Sequence, residues 1–331
     1  MALSVSVKRT LSASAARIQN ARLRLLDRLL NASDDGRLKP MSGSWQARGL
    51  VFSRDRPLQL HALLTSYLAL CEDPAPLSVI YSASTPEYDV AYAQVIEEIG
   101  DARISVTSEE ELGFRKTLLN ELAPNSSSHV FFLVDDIVFT ESWRFSSLLP
   151  FSTESSIVSL RLGSNLNWSY TNDRRQRVPK LVGLSQFESA AGDPRDADAL
   201  FSWKWIRGES DWAYPLSLDG NVFRVEPLRQ LVSQLDFHSP NSLEARLQKH
   251  ASMFLMTWGV CFGKSRLVNL PLNRVQNDIP NRHGQISAQE LLEVWSDGVR
   301  VDTAALRGLV NCSAHQEVTL PLLHRPSHGK S

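Results

Sequence analysis

The sequence predicts an α/β fold in which helices cover both faces of a sheet. Segments typical of strands and of helices alternate three times between residues 49 and 122, as expected for a doubly wound sheet with right-handed crossovers. A fourth strand-like segment follows, in which the apolar residues 130–134 run without a break into Asp135 and Asp136. Such continuous hydrophobicity indicates a strand that is buried on both faces. The 331 residues suffice for one large domain or two smaller ones.

Proline, glycine and acidic residues delimit the elements of this first region. Pro57 suits the first turn of a helix, Gly100 suits a helix end, and acidic residues at 109–111 suit a helix start. The predicted strands are Gly49–Phe52, Leu77–Tyr81 and Arg103–Thr107, and the predicted helices are Leu58–Cys71, Glu87–Ile99 and Glu109–Leu122.

The second half of the chain has a different character. Residues 165–212 are polar and contain four tryptophans, which suit either a surface that stacks on sugars or ordinary core packing. Ser239 before Pro240 is a strong signal for a helix start. Predicted strands or strand-like elements are Ser156–Leu162, Leu218–Arg224 and Trp258–Phe262, and predicted helices are 227–235, one opened by Ser239, Ser287–Trp295 and Thr303–Leu309.

Composition excludes several classes of function. The 35 basic and 36 acidic residues nearly cancel, so no general basic field indicates nucleic-acid binding. Three scattered cysteines indicate neither a disulfide framework nor a zinc site, which favours a reducing compartment. No run of eighteen apolar residues and no secretory signal is present, so we expect a cytoplasmic protein.

The N-terminal residues carry a local charge asymmetry. Five basic residues precede the first acid, Asp27, and apolar residues at positions 18, 21, 25 and 29 have helical spacing. This predicts an N-terminal basic helix, which either packs on the domain or contacts a partner or the inner face of a membrane. An organellar transit peptide is a further interpretation.

Asp135 and Asp136 are the first candidate site. Ligands of parallel α/β sheets bind beyond the carboxyl ends of the strands, which is where these two residues are expected. Adjacent carboxylates repel each other unless a cation or hydrogen-bond donors neutralise them, so Mg²⁺ or Mn²⁺ is a natural occupant. The alternative is a turn with two solvated aspartates.

This order of elements resembles the nucleotide-sugar-dependent glycosyltransferases of the GT-A fold over roughly residues 46–300. In that family, paired acids at this position form the DxD-type motif. The resemblance implies that Asp136 binds the metal that bridges the donor diphosphate, and that Asp135 contacts the ribose or completes the metal shell. The sequence here has two adjacent aspartates instead of a strict DxD. The implied fold is a Rossmann-like mixed sheet in a single large domain.

Other residues are candidates for binding the donor. Glycosyl transfer must stabilise a departing diphosphate, which a divalent cation and nearby basic groups can do. Arg54, in the turn after the first strand, and Lys116, on the helix before the fourth strand, are candidates for such groups. Ser82 and Ser84 follow the second strand and are candidates for base or ribose contacts.

The segment Leu218–Arg224 resembles the family's segment beneath the donor sugar and the acceptor. Within it, Asp219 could bind a sugar hydroxyl, ligate the metal or simply form a turn. Arg224 is a candidate contact to the donor. An inverting reaction needs a base within reach of the acceptor hydroxyl. By resemblance, Glu244 lies where inverting members carry an acidic pair whose aspartate is the catalytic base, and Asp211 is the second candidate for the base. In a retaining enzyme, Glu244 would instead bind the acceptor or orient Arg224.

The polar loop 273–284 could close over a charged ligand. By resemblance, Arg282 would contact the diphosphate and His283 would ligate the metal. The resemblance divides the chain into an N-terminal helical extension and linker (1–45), a nucleotide-sugar-binding half (46–163), an acceptor-binding and catalytic half (164–315) and a tail (316–331).

The sequence therefore predicts a glycosyltransferase that moves a sugar from a nucleotide-sugar donor to a glycan or a lipid-linked acceptor, as in polysaccharide biosynthesis. Three alternatives stay open: a non-catalytic carbohydrate-recognition or assembly module, a sugar-phosphate nucleotidyltransferase and a metal-dependent phosphohydrolase. The turn at residues 53–57 lacks the glycines that a nucleotidyltransferase uses there. A phosphohydrolase requires further acids after later strands, and this sequence has few of them.

Overall fold

A computed structural model describes Leu38 and residues 46–123, 127–184, 196–272 and 286–324. The strands in this part of the chain are β1 (Ala47–Arg54), β2 (Leu77–Ser82), β3 (Ile104–Ser108), β4 (His129–Val134), β5 (Ile137–Phe139), β6 (Ser156–Ser159), β7 (Trp168–Ser169), β8 (Arg174–Arg175), β9 (Val182–Leu184), β10 (Leu200–Lys204), β11 (Asn221–Arg224), β12 (Trp258–Phe262), β13 (Leu267–Asn269), β14 (Val299–Val301) and β15 (Leu322–His324). The α-helices are α1 (Pro57–Leu70), α2 (Pro86–Ile99), α3 (Phe114–Glu121), α4 (Phe145–Leu148), α5 (Val225–Ser233), α6 (Pro240–Gln248) and α7 (Ala288–Ser296).

A nine-stranded mixed sheet, in the order β3-β2-β1-β4-β11-β6-β12-β10-β9, forms the centre of the molecule. The strands from β3 to β4 are parallel. Next to them β11 runs antiparallel to both β4 and β6, while β12 is parallel to β6. The predicted mixed α/β fold is confirmed, and the first and second halves of the chain share this one sheet.

Side chains on both faces of the central strands are buried. In β4, Val130 and Phe132 belong to one core cluster, whereas Phe131 and Leu133 belong to the cluster on the opposite face. Successive side chains of a strand point to opposite faces, so a strand covered by helices on one side and by loops and helices on the other must be apolar at every position. This explains the unbroken apolar run before Asp135.

As expected, β4 ends at Val134, directly before the two aspartates, and the chain then changes direction into β5, which pairs with β13 in a separate two-stranded sheet. The structure differs from the sequence-based expectations at two helices. Helix α3 begins only at Phe114, after Gly113, which has φ 74°. The predicted helix at 303–309 is a run of turns that ends at Gly308, with φ 78°. The predicted N-terminal basic helix lies outside the described residues.

The C-terminal elements pack back onto the first half. Arg300, in the middle of β14, stacks on the Trp295 ring of α7 with its guanidinium carbon 3.3 Å from the ring centroid. The same guanidinium donates to both carboxylate oxygens of Glu98 on α2, at 2.6 and 3.0 Å. Further on, the backbone of residues 314–316 bonds to Asn269 of β13. Within the described ranges, no helix combines the length and apolarity that a membrane span requires.

Candidate active site

Asp135 lies at the carboxyl ends of the adjacent strands β1 and β4. Its Oδ2 accepts hydrogen bonds from Ser53 Oγ at 2.9 Å and from the Arg54 backbone N–H at 3.1 Å. The Ser53 hydroxyl also bonds to the hydroxyl of Tyr92 on α2, at 2.7 Å. Because Phe52 of β1 is directly beside Val134 of β4, the parallel pairing brings the turn after β1 to this carboxylate.

Arg56 forms a bridge between the two aspartates. Its Nη1 is 2.8 Å from Asp135 Oδ1 and 3.2 Å from Asp136 Oδ2, and the side chain is only 11% exposed. Asp55 has φ 52°, a left-handed conformation uncommon for aspartate, and turns the chain so that Arg56 follows. Burial opposes the charge of this guanidinium, but the two carboxylates outweigh burial and raise its pKa above the usual range.

Asp136 points toward the second half of the chain. Its Oδ1 accepts a hydrogen bond from Asn269 Nδ2 at 2.8 Å, and its backbone oxygen accepts from Leu270 N at 2.7 Å. Burial raises the pKa of Asp136 to about 6, and the charges of Asp135 and Asp219 add to this effect. The positive charge of Arg56 therefore does not fully offset the burial of this carboxylate and the negative charges around it.

Asp219 and His315 form the next pair, with Oδ2 and Nε2 3.2 Å apart. Burial opposes both charges, but their hydrogen bond and attraction outweigh burial, lowering the pKa of Asp219 and raising that of His315. Gly220, with φ 75°, allows Asp219 to lie here, because a Cβ at Gly220 would be 2.6 Å from a methyl group of Leu267. The bond from Gly220 N to Phe132 O, at 2.7 Å, fastens this turn to β4.

A buried arginine and a carboxyl with an altered pKa complete the group. Arg161 donates to Asp211 Oδ1 and to Ser217 Oγ, both at 2.6 Å, and its Nη1 is 4.0 Å from Asp219 Oδ2. Glu244, on α6, accepts a hydrogen bond from the Leu218 backbone N–H at 3.0 Å. Burial, followed by the negative charge of Asp219, raises the pKa of Glu244 to about 7.

We call this set the carboxylate cluster: Asp135, Asp136, Asp211, Asp219 and Glu244. The cationic groups that contact it in the described structure are Arg56, Arg161 and, when protonated, His315, so negative charge is in excess. Carboxylate oxygens and an imidazole are ligands that Mg²⁺ and Mn²⁺ accept, and this donor chemistry and charge fit such a cation. As the side chains lie, the described residues contain no group of three that could hold a metal, and Arg56 lies between the two aspartates.

The structure brings together the five predicted carboxylates but separates other candidates from them. Arg54 contacts Asp135 through its backbone, and its side chain is 47% exposed beside Asp55. Ser82 and Ser84 bond to Asp55 through backbone groups, at 3.2 and 2.7 Å. Arg282 and His283 lie outside the described residues.

Two predicted donor contacts have positions that do not favour the assignment. Arg224 is paired with His129, at the opposite end of β4 from Asp135, which is about 20 Å away at the rise of a strand. The antiparallel direction of β11 is the reason for this distance, because it carries the chain away from the aspartates. Lys116 is exposed on α3, and none of the described contacts of the carboxylate cluster involves it.

Sequence reasoning missed Arg56, Arg161, Asn269 and His315. Arg56 stands in the same turn as Arg54, so the sequence offered both and contained no signal to choose between them. Arg161 lies two residues after the buried strand β6, but the sequence predicts a strand over Ser156–Leu162, so its charge was not recognised as one at a strand end. Asn269 and His315 are brought together by backbone pairing between segments that are distant in sequence, which no local sequence pattern predicts.

No protein-family description and no curated protein matches this sequence. Solved structures similar to the chain include a mannosyltransferase from Pyrobaculum calidifontis in complex with GDP-Man and Mn²⁺, with 15% identity over 49% of this chain and 52% of that one, at a TM-score of 0.33. TarS of S. aureus in complex with UDP-GlcNAc has 16% identity over 67% and 57% of the two chains, at a TM-score of 0.40. A nucleotidyl transferase from Methanothermobacter thermautotroptrophicus has 9% identity over 66% and 88%, at a TM-score of 0.35.

Glycosyltransferases are thus among the similar solved structures, as the sequence resemblance predicted. The chain spans about half to three fifths of the length of the two glycosyltransferases named here. At these identities and TM-scores, the activity has to be argued from the carboxylate cluster itself.

Proposed function

We propose that this chain is a glycosyltransferase that moves a sugar from a nucleotide-sugar donor to an acceptor hydroxyl with inversion at the anomeric carbon. One observation carries the proposal. Glu244, a carboxyl with a pKa of about 7, lies in the same cluster as the aspartate pair at the carboxyl ends of β1 and β4. Ligands of α/β sheets bind at that edge, and a group with a pKa near 7 suits general base catalysis at neutral pH.

The base assignment follows from the surroundings of two carboxylates. Asp211 accepts a 2.6 Å hydrogen bond from the Arg161 guanidinium, so one of its carboxylate oxygens is already paired with a cation. Glu244 accepts a hydrogen bond from a backbone N–H, and burial, followed by the charge of Asp219, raises its pKa to about 7. In the proposed step, Glu244 takes the acceptor proton while the acceptor oxygen bonds to the anomeric carbon and the bond from that carbon to the phosphate oxygen breaks.

The donor would bring a negatively charged diphosphate to a cluster that already carries excess negative charge. This supports a divalent cation as cofactor, for which Asp135, Asp136, Asp219 and His315 are the proposed ligands and His283 stays a further prediction. When bound, the cation would supply positive charge to the departing diphosphate. The chain's own contribution is to hold these side chains, through Asn269 and Gly220, at the edge of the sheet.

Other parts of the function stay predictions from the sequence. They are the glycan or lipid-linked acceptor, a cytoplasmic location, contact of residues 1–45 with a partner or a membrane, and donor contacts through Arg54, Ser82, Lys116, Arg224 and Arg282.

The first experiment is a thermal-shift panel of nucleoside diphosphates and sugar nucleotides, with and without Mn²⁺, followed by a donor-hydrolysis assay with the positive ligand. We expect one nucleotide to raise the melting temperature with Mn²⁺, and Glu244→Gln to lower turnover by about 10²- to 10⁴-fold with donor binding retained. Glu293→Gln, at an exposed position of α7, is the matched control. Binding without any turnover would replace this proposal by a non-catalytic recognition module.

A further inference from the structure

The Arg56 guanidinium bridges one oxygen of each aspartate, while other groups bond to the second oxygen. Asp135 Oδ2 already accepts two hydrogen bonds, from Ser53 and from the Arg54 backbone. Asp136 Oδ1 accepts one from Asn269. Arg56 contacts the other oxygen of each carboxylate, at 2.8 and 3.2 Å. The Arg56 guanidinium thus places positive charge between two adjacent carboxylates.

That position is also the one from which a single cation could contact both aspartates. A divalent ion there would lie close to the guanidinium, and two cations in a poorly solvated site repel each other strongly. The guanidinium is mostly buried, so solvent cannot screen this repulsion fully. The ion and Arg56 therefore exclude each other as long as Arg56 stays in place.

A diphosphate offers Arg56 an equivalent partner. Guanidinium groups bind phosphate oxygens through paired, charge-assisted hydrogen bonds, as they bind carboxylates. Arg56 belongs to the turn after β1 rather than to the strand, and α1 begins only at Pro57. The guanidinium thus lies at the carboxyl-end edge of the sheet, where ligands of α/β sheets bind.

We propose that Arg56 is a specificity-determining residue that makes divalent-cation binding depend on the donor. Without a donor, Arg56 neutralises Asp135 and Asp136 and keeps the cation affinity low. When a nucleotide diphosphate enters, its phosphates take the guanidinium and the aspartates become available to the cation. The second half of this proposal rests on the proposed function, whereas the first half, competition between Arg56 and a cation, does not.

The test measures free Mn²⁺ by electron paramagnetic resonance during titration of the full chain, without nucleotide. We expect weak binding by the wild type and an affinity about 10-fold or more higher for Arg56→Met, because a competing charge is removed from between two carboxylates. Arg56→Lys keeps a charge and should stay near the wild type. Adding Asp136→Asn to Arg56→Met should abolish the gain. Arg103→Met, which removes a charge from an exposed pair with Asp101 and leaves the bridge intact, should have little effect.

Circular dichroism first establishes that each variant is folded; if Arg56→Met is not, Arg56→Gln replaces it. Tight Mn²⁺ binding by the wild type alone, or no gain in the folded Arg56 variant, would overturn the competition. The titration is then repeated on the wild type with UDP and with GDP, where a nucleotide that binds should raise the Mn²⁺ affinity, and Mn²⁺ should raise the nucleotide affinity by the same factor. A gain in the Arg56 variant with no response to any nucleotide would retain the competition and reject the proposed function.

Discussion

The proton affinity of Glu244 results from two features of its surroundings. The carboxyl lies below the surface, where desolvation disfavours its charged form, and the charge of Asp219 disfavours it further. The Leu218 N–H and the charge of Arg161 act in the opposite direction but do not cancel these effects. At pH 7 the group is therefore about half protonated, whereas a surface glutamate is almost fully ionised.

This pKa predicts a pH-dependent rate. A base acts in its ionised form, so the turnover of the donor should rise with pH through about 7 and level off above it. The measurement is a pH profile of the wild type and of Glu244→Gln. The variant should turn over slowly, and its rate should not rise through pH 7. A rise with the same midpoint in Glu244→Gln would assign the titration to another group.

The same pKa predicts a pH-dependent stability. The folded pKa is raised from 4.5 to about 7, so the folded state holds the proton more tightly than the unfolded state, and stability falls as pH rises between these values. Glu244→Gln cannot ionise and should gain about 1–3 kcal/mol on the wild type between pH 5 and pH 8. Denaturant unfolding at the two pH values measures this gain. An equal difference between the two proteins at both values would contradict the burial argument.

At the scale of single elements, two helices begin with the same device. In α6 and in α7 the N-cap serine accepts a hydrogen bond from the backbone N–H of the third helical residue, and the side chain of that residue bonds back. The capping serines are Ser239 and Ser287. Only α6 carries a member of the carboxylate cluster, so the two helices are a matched pair.

We expect Ser239→Ala and Ser287→Ala each to lower the free energy of unfolding by about 1 kcal/mol, since each removes one cap. Only Ser239→Ala should also change turnover, because Glu244 lies in the second turn of α6. Denaturant unfolding and the donor-hydrolysis assay measure the two effects. If both variants changed turnover equally, global stability rather than the position of α6 would be the cause.

Strand β12 depends on a position without a side chain. A Cβ at Gly259 would lie 2.2 Å from the indole ring of Trp203 on the neighbouring strand β10. Gly259→Ala should therefore destabilise the protein by about 1–3 kcal/mol through overpacking. Trp203→Phe removes the atoms that would clash, so the double variant should lose less stability than the sum of the two single variants. Additive losses in denaturant unfolding would show that the clash is relieved elsewhere.

At the scale of the whole molecule, the contact between Arg300 and Glu98 fastens the C-terminal elements to the first half. The Arg300 side chain is 8% exposed, stacks on Trp295 and makes a bidentate pair with Glu98. The segment that follows supplies His315 to the carboxylate cluster. Long-range packing of the C-terminal segment thus positions a site residue.

Arg300→Met should lower the free energy of unfolding by about 3 kcal/mol, because it leaves the Glu98 carboxylate without its guanidinium partner. The control is Arg103→Met, which breaks an exposed pair with Asp101 and should cost less than about 1 kcal/mol. Denaturant unfolding of the two variants measures both losses of free energy. Equal losses in the two variants would mean that the buried pair has no special role.

The sequence by itself determined the elements whose signals are local. The apolar run before Asp135 identified β4, the strand–helix alternation identified the parallel part of the sheet, and Ser239 with Pro240 identified the start of α6. Asp135 and Asp136 became candidate site residues because they directly follow such an element in the hydrophobic pattern. Glu244 became a candidate through the family resemblance, on a helix whose start the capping signal identified.

Only the tertiary structure decided which side chains meet. The antiparallel insertion of β11 brought Asp219 to the aspartates and carried Arg224 away from them. Arg56 and His315 reach the site through a left-handed turn and through backbone pairing between segments far apart in sequence. Strand order, strand direction and loop closure depend on contacts between distant residues, whose free energy leaves no periodic trace in the sequence. For this reason the carboxylates of the site could be predicted, whereas the groups that neutralise them could not.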